Sequence, residues 1–263
     1  GGLFGMVVSL EKDGLNYDIR IDGVDENTLR FWAGDTTEIV PFYKILTRIP
    51  GDQDFKAPLC RPNIASKEKI WEGVEHSAIA FAGDRYDPPQ KTVTDAEPET
   101  PWFNLACAGT ATAKMHLMRH TNASAWTAAT WSPGLALTDG SAPFHTSVEE
   151  RQATLKMFTA DYCGNGHSFT VDGQPLQYGD ARVWYPTTPT SARLEPSVTP
   201  PYVGTIESLW GPDGAVCLDR PRLAAMSDVE AVCKPPPPCN GLAGVAGWEK
   251  QVHVISANPR CPP

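Results

Sequence analysis

The stretch SVEERQATLKMFTADYCGNG, residues 147–166, predicts a central helix and the turn that ends it. Ser147 and Glu150 match a capping box, in which the serine accepts a hydrogen bond from the third helical amide and the glutamate reaches back. Three apolar side chains recur at helical spacing and predict the buried stripe: Leu155, Phe158 and Tyr162. The helix is expected to stop at residues 163–166, where glycine supplies a left-handed turn.

A second helix is expected upstream, over about residues 103–118. Its buried face would carry five side chains at helical spacing: Cys107, Ala108, Ala111, Met115 and Met118. The remaining chain favours strands and turns, because alternating apolar residues are bounded by glycine, proline and aspartate. Strands are predicted over residues 6–10, 15–21, 28–33, 38–46 and 76–82, with hairpins over 168–178 and 202–218.

Two further stretches are expected to be irregular. Residues 84–101 are polar and rich in proline, threonine and glutamate, which predicts a loop. The tail from Cys233 is rich in proline and glycine and is expected to wrap the surface. With 25 prolines and 22 glycines among 263 residues, short elements are expected throughout. The fold class predicted is α+β: a β-rich, irregular single domain with two short central helices, stabilised by disulfides.

Charge and hydropathy exclude several partners. The net charge is −9 and no run of lysine and arginine occurs, so nucleic acid and anionic membrane surfaces are poor partners. No apolar stretch reaches 18 residues, so no membrane span is predicted. The chain starts at Gly1 rather than Met, which suggests a processed or truncated form.

The seven cysteines favour an oxidising compartment. They are Cys60, Cys107, Cys163, Cys217, Cys233, Cys239 and Cys261. No CxxC pair occurs, which argues against a zinc ribbon or a thioredoxin site. Scattered cysteines in an acidic, proline-rich chain suit a secreted or periplasmic protein with disulfides, although buried free thiols are the alternative.

The proline run between two of the cysteines argues against one pairing. Residues 233–239 read CKPPPPC, and a polyproline II run would hold the end cysteines about 18 Å apart. A disulfide needs Cα atoms within about 7 Å. Cys233 and Cys239 are therefore expected to have different partners, with Cys261 a candidate for one of them.

Residues 159–166, TADYCGNG, resemble the motif that names the bacterial ADYC domain family. The flanking context is similar as well: WFNLAC at 102–107 and Ala113-Lys114 upstream, DGQPL at 172–176 and WGPDGAVC at 210–217 downstream. The resemblance covers about residues 55–240 and implies membership without implying a reaction. It divides the chain into an N-terminal β-rich segment (1–54), an ADYC-type domain (55–240) and a C-terminal extension (241–263).

The resemblance also has two departures that bear on the disulfides. The family pattern often has a cysteine where this chain has Met115, and another near Thr154. If those two cysteines normally form a disulfide between the helices, the loss of one explains the loss of the other. The resemblance then implies two bridges among the cysteines that remain within the domain: Cys60, Cys107, Cys163 and Cys217.

A histidine pair gives the sharpest functional hypothesis. His116 and His120 are four residues apart, so on a helix both imidazoles would face the same way and could bind one metal ion. Thioethers from Met115 and Met118 would favour a soft ion such as copper(I), and His76 could add a third ligand. The alternative is that the methionines belong to the core and the histidines mark a helix end.

Other candidate sites are less specific. Cys163 and His167 could form a nucleophile pair, but Asp161 disfavours a thiolate there, and a disulfide from Cys163 to Cys60, Cys107 or Cys217 is preferred. Four tryptophans in loop-like regions could bind a glycan or a protein partner: Trp102, Trp126, Trp131 and Trp184. The Gly-x-Ser-x-Gly, P-loop and dinucleotide motifs are absent.

The leading hypothesis is therefore a secreted or periplasmic, disulfide-stabilised binding protein. In its most specific form, the ligand is copper or a similar metal. An extracellular hydrolase of unknown substrate is the first alternative. A cell-surface structural or interaction protein, with a protein or glycan partner, is the second.

Overall fold

The computed structural model describes residues 4–12, 14–30, 39–48, 51–61, 71, 73–96, 102–121, 146–174, 176–180, 184–188, 191–194, 205–244 and 246–258. The chain divides into two compact units, although one domain is predicted from the sequence. Unit 1 comprises Gly1–Gly83 and Ala96–Phe144, and unit 2 comprises Asp84–Asp95 and His145–Pro263. The segment boundaries predicted after residues 54 and 240 stay predictions.

Unit 1 is built on an antiparallel sheet. Its strands, numbered in chain order, are β1 (Val7–Lys12), β2 (Leu15–Arg30), β3 (Ile39–Arg48), β4 (Ala57–Pro58), β5 (Ser77–Gly83) and β8 (Trp102–Cys107). The strand order is β1-β2-β3-β5-β8, and β4 pairs with β3. The predicted hairpin at the start of the chain is confirmed, because β1 and β2 pair from Val7 opposite Arg20 to Lys12 opposite Leu15.

The upstream helix is shorter than predicted. Residues 102–107 form β8, which pairs antiparallel with β5 and so satisfies its backbone groups in the sheet. Helix α1 (Ala111–Leu117) begins only after Gly109, where φ is +83°, and Thr110 caps it by accepting a hydrogen bond from the Ala113 amide. The helical spacing before residue 111 is therefore coincidental, because pairing with β5 decides the conformation.

Unit 2 combines one long helix with a second antiparallel sheet. The helix is α2 (Val148–Thr159), and the sheet strands are β9 (Gln177–Asp180), β12 (Thr205–Gly211), β13 (Gly214–Leu218) and β14 (Val254–Asn258). The strand order is β13-β12-β14-β9, and α2 packs against β12, β13 and β14. The predicted cap of α2 is confirmed, since the Ser147 hydroxyl accepts a hydrogen bond from the Glu150 amide.

Smaller elements complete unit 2. Two short hairpins are formed by β6 (Arg85–Asp87) with β7 (Thr92–Thr94) and by β10 (Trp184–Thr188) with β11 (Ser191–Leu194). Helix α3 (Met226–Glu230) precedes two 3-10 helices, Cys239–Gly244 and Trp248–Gln251. Among the described residues, no helix is long and apolar enough to cross a membrane.

Three sequence-based expectations for unit 2 are wrong. Part of the loop predicted over 84–101 is the β6–β7 hairpin, which packs on α2. Residues 168–171 form no strand, so the hairpin predicted around Asp172-Gly173 reduces to a turn. The tail does not only wrap the surface, because β14 lies between β12 and β9 with Val254 and Ser256 fully buried.

Three disulfides hold the two units internally. Cys60 is bonded to Cys107 in unit 1, and in unit 2 Cys163 is bonded to Cys233 and Cys217 to Cys239. Cys233 and Cys239 thus have different partners, as the proline run predicts. The resemblance implies that Cys163 and Cys217 pair with cysteines among Cys60, Cys107, Cys163 and Cys217, and this is wrong, because their partners are Cys233 and Cys239. Cys261 lies outside the described residues.

We expect these three pairs to be found when the unreduced protein is unfolded in the presence of an alkylating reagent and mapped by mass spectrometry. None of the six paired cysteines should carry the label, because each thiol is consumed by a bond within the chain. After reduction all six should be labelled. Label on Cys163 or Cys233 in the unreduced protein would contradict the connectivity.

Candidate functional site

The family-like motif begins where α2 ends. Ala160 has φ +49° and ψ +42°, and its amide donates to the carbonyl groups of Lys156 and Met157. A left-handed residue other than glycine costs about 1–2 kcal/mol, so the surroundings must impose this conformation. Ala160 is fully buried, which leaves little room for a larger side chain. The left-handed turn is thus at Ala160, four residues before the predicted Gly164.

Asp161 forms a buried ion pair with the helix that precedes it. Its Oδ2 atom lies 2.6 Å from the Lys156 ammonium and accepts a hydrogen bond from the Gly166 amide. Lys156 Nζ also donates to the Gln90 and Gly164 carbonyl groups. The ammonium therefore has three acceptors within one buried site, and the ion pair holds the residues after α2 against the helix.

Tyr162, the next residue of the motif, is held in a second buried hydrogen-bond network. Its hydroxyl donates to Glu207 Oε1 at 2.5 Å and accepts from the Arg222 amide at 2.8 Å. The Arg222 guanidinium in turn donates to Glu207 Oε2 and to the Met157 carbonyl. Burial, and then the Glu207 carboxylate, raise the pKa of Tyr162, so the phenol stays protonated. Its ring stacks on Trp210 at 5.2 Å.

Cys163 is bonded to Cys233, so no thiolate is available for the nucleophile pair proposed with His167. His167 lies at the surface, and its ring packs against Phe169 at 4.6 Å. Gly164 follows at φ +70°, and a Cβ there would lie 1.7 Å from the Asp213 carbonyl oxygen. The hairpin turn between β12 and β13 therefore packs directly on this backbone, which only glycine permits.

The start of α2 carries a third buried ion pair. The Arg151 guanidinium donates through Nε to Asp84 at 2.6 Å and through Nη2 to Asp95 at 2.6 Å. Asp84 is fully buried, whereas Asp95 reaches solvent. These bonds fix the hairpin β6–β7 to α2, so the three buried ion pairs found among the described residues of unit 2 serve its packing.

The histidines predicted to bind copper lie in unit 1. Helix α1 ends at Leu117, and Arg119 follows with φ +61°, so His116 and His120 do not share one helix face. His116 is 2% exposed, stacks on Phe81 at 4.4 Å and has Nδ1 3.2 Å from the Thr121 hydroxyl. Burial lowers the pKa of His116 to about 3, helped by Arg119, so its imidazole is neutral.

The remaining predicted ligands do not complete a cluster. His76 places Nδ1 3.3 Å from the Cys60 carbonyl oxygen, while His120 and Met118 are buried. Within the described part of the chain, no three His, Cys, Asp or Glu residues come together in a group that could hold a metal. Copper at His116 and His120 stays a prediction.

The tryptophans proposed as binding surfaces are mostly outside the described residues. Trp126 and Trp131 lie there entirely, and only the backbone of Trp184 is described. Trp102 is 53% exposed at the start of β8. A glycan or protein partner for these side chains stays a prediction, and so does the hydrolase hypothesis, for which the sequence names no acid or base.

A pocket that the sequence analysis does not predict lies in unit 2, beside the β12–β13 turn. It has a volume of about 530 Å³ and is lined by residues 211–216 together with Lys250, Gln251 and His253. Small-molecule sites span about 300–1,000 Å³. The two lining segments are more than 30 residues apart, and no sequence pattern joins them. Strand β14 follows the second segment and pairs with β12, and this pairing brings the segments together.

Close backbone approach builds the wall of this pocket. A Cβ at Gly211 would lie 2.7 Å from the Gln251 carbonyl oxygen, and the His253 amide donates to the Trp210 carbonyl at 2.9 Å. His253 is half-buried. Burial lowers the pKa of His253, against the opposing effect of Glu149. At neutral pH the pocket thus presents one ammonium (Lys250), one carboxylate (Asp213) and one neutral imidazole.

Comparison with known proteins gives one family and no individual relative. The ADYC domain family model matches residues 1–224. The match starts further upstream than the predicted residue 55 and stops before the predicted residue 240. No curated protein and no solved structure matches the chain. The whole motif thus lies inside the matched region, whereas Lys250, Gln251 and His253 lie beyond it.

We expect Gly164→Ala to destabilise unit 2 by at least about 2 kcal/mol, because the new methyl group meets the backbone of Asp213 and φ is positive. Gly241→Ala is the matched control, since its Cβ meets nothing within 4 Å, and it should change stability by less than about 1 kcal/mol. Urea unfolding followed by tryptophan fluorescence measures both. Equal midpoints would contradict the close contact.

We expect His116 to make unit 1 sensitive to acid. Its pKa is about 3 when folded and about 6.5 when unfolded, so between these values the unfolded chain binds more protons and stability falls as the pH falls. From pH 8 to pH 5 this contribution is about 2 kcal/mol. Urea-dependent hydrogen exchange of the α1 amides measures it in wild type and in His116→Gln.

The variant should show a pH dependence about 2 kcal/mol weaker than wild type over this range. His167→Gln, which changes an exposed imidazole, is the control and should follow wild type. An unchanged pH dependence in His116→Gln would mean that another group carries the acid sensitivity.

Proposed function

This chain belongs to the ADYC domain family, and from that premise we propose that it is a disulfide-stabilised binding protein that works outside the cytoplasm. The three disulfides support the compartment, because such bonds persist in the periplasm and outside the cell and are rare in the reducing cytosol. Secretion, the periplasm or the cell surface would each satisfy this requirement.

The observation that carries the proposal is the pocket of unit 2. Its volume suits a small molecule, and its lining combines a closely packed backbone wall with four polar side chains. The motif residues support a binding role in a different way. Asp161, Tyr162 and Cys163 are engaged by Lys156, Glu207 and Cys233, so they build the framework on which the pocket rests.

The lining indicates the chemical class of the ligand. Lys250 would bind an anionic group, and Asp213 would bind a cationic group or a hydrogen-bond donor. The neutral imidazole of His253 can donate or accept a hydrogen bond without adding charge. A small dipolar molecule that carries both signs of charge fits this set, and the free α-amino acids are the simplest such compounds.

We expect at least one α-amino acid to bind with a Kd below about 1 mM. The measurement is a titration of the 15N-labelled protein with each amino acid, and with acetate and methylammonium as probes of one charge. The amides of residues 211, 213–216 and 250–253 should shift. Lys250→Gln and Asp213→Asn should each weaken binding at least about tenfold, because each removes one of the two charges that hold the ligand.

Lys234→Gln is the matched control, since it removes an exposed ammonium of the same unit away from the pocket. It should leave the affinity unchanged. If no amino acid shifts the pocket amides at 10 mM, the pocket is not the binding site. Copper(I) added alone in the same experiment tests the earlier hypothesis, which predicts shifts around His116 instead.

A further inference from the structure

A second feature of unit 2 has the chemistry of a protein-docking element. Residues 234–238, here named the proline strap, read Lys-Pro-Pro-Pro-Pro and form neither helix nor strand. Cys233 at one end is bonded to Cys163, and Cys239 at the other end is bonded to Cys217. The strap is therefore tied covalently to the body of unit 2 on both sides.

Four consecutive prolines restrict the strap to few conformations. Each ring fixes φ near −65° and removes the amide donor, so the run cannot pair as a strand or continue as a helix. The preferred conformation is polyproline II, a helix with three residues per turn and no internal hydrogen bonds. Side chains three apart along such a run share one face.

The burial of the strap leaves one face outward. Lys234 and Pro237, which share a face, are both exposed. Pro235 and Pro236 are half-buried, and Pro238, which shares a face with Pro235, is exposed. The strap thus packs on unit 2 through Pro235 and Pro236 and offers the face of Lys234 and Pro237 outward.

Backbone bonds hold the strap in this orientation. The Leu218 amide donates to the Pro237 carbonyl at 2.9 Å, and the Cys239 amide donates to Asp219 Oδ1 at 2.7 Å. Leu218 belongs to β13 and is buried, so the first of these bonds joins the strap to the sheet. The Pro237 ring remains exposed while its carbonyl is occupied.

We propose that the proline strap is a docking element for a protein partner whose groove is lined by aromatic side chains and carries a carboxylate for Lys234. Grooves of that kind bind polyproline II segments because the preformed helix loses little conformational entropy on binding. The two disulfides extend this advantage, since they order the strap before the partner arrives. The inference rests on the strap alone and not on the pocket.

The experiment uses the full 15N-labelled chain with three purified probes that read polyproline II segments: an SH3, a WW and an EVH1 domain. At least one should bind with a Kd below about 1 mM, with amide shifts at Lys234, Cys239 and their neighbours. Lys234→Glu should weaken that binding at least about fivefold, because the groove carries acidic groups.

Two matched variants separate docking from a purely structural strap. Pro237→Ala removes an exposed ring and should weaken binding at least about tenfold, whereas Pro236→Ala removes a half-buried ring and should weaken it less than about threefold. Both keep the backbone carbonyls. Circular dichroism of the two variants checks that each is folded.

A synthetic peptide of residues 232–240 with serine at both cysteine positions provides an independent measurement. It should bind at least about tenfold more weakly than the folded chain, because it must be ordered on binding. Absence of binding by all three domains at 1 mM, equal effects of Pro236→Ala and Pro237→Ala, or a peptide that binds as tightly as the protein would each overturn the proposal.

Discussion

The fold of unit 2 depends on the turn at the end of α2, where a fully buried alanine is held in the left-handed conformation. Ala160 reverses the chain, and the next three residues are then committed to different partners. Asp161 turns back to Lys156, Tyr162 points to Glu207 and Cys163 reaches Cys233. Each of these contacts needs the direction set by Ala160, and together they supply the stabilisation that a strained turn requires.

Three buried ion pairs surround α2, and this is a costly way to build a core. Removing a charge from water costs several kcal/mol, and only close geometry with further hydrogen bonds compensates. Here each cation has more than one acceptor: Lys156 has two carbonyl groups besides Asp161, Arg222 has the Met157 carbonyl besides Glu207, and Arg151 bonds both Asp84 and Asp95. Some of the acceptors, such as the Gln90 carbonyl and Asp84, come from distant parts of the chain, so these bonds join those segments to α2.

Sequence patterns predict the local features of this fold and miss those that depend on distant pairing. The Ser147 cap and the β12–β13 hairpin are recognisable because each is encoded within a few residues. Strand β8 is missed, since its pairing with β5 overrides a helical spacing of apolar residues. Strand β14 is missed because the composition of a proline- and glycine-rich tail does not show that it pairs with β12.

The candidate sites also differ in whether they depend on local sequence or on distant pairing. Geometry of the proline run suffices to predict that Cys233 and Cys239 have separate partners, because four prolines cannot bend into one disulfide. The histidine pair instead presupposes a helix that continues through residue 120, whereas the chain turns at Arg119. The pocket has no sequence signal, since Asp213 and Lys250 meet only after β14 has paired with β12.

The extent of the family match bears on where function resides in this chain. The match ends at residue 224, after the motif and its partners Glu207 and Arg222 but before Cys233, the strap, one side of the pocket and β14. The motif residues are buried and committed to packing, so a shared motif implies a shared framework rather than a shared ligand. Asp213 lies inside the match, whereas the other charged pocket residue, Lys250, and the whole strap come from the segment outside it. If binding resides there, members that share the motif can differ in ligand and partner while they keep the same turn after α2.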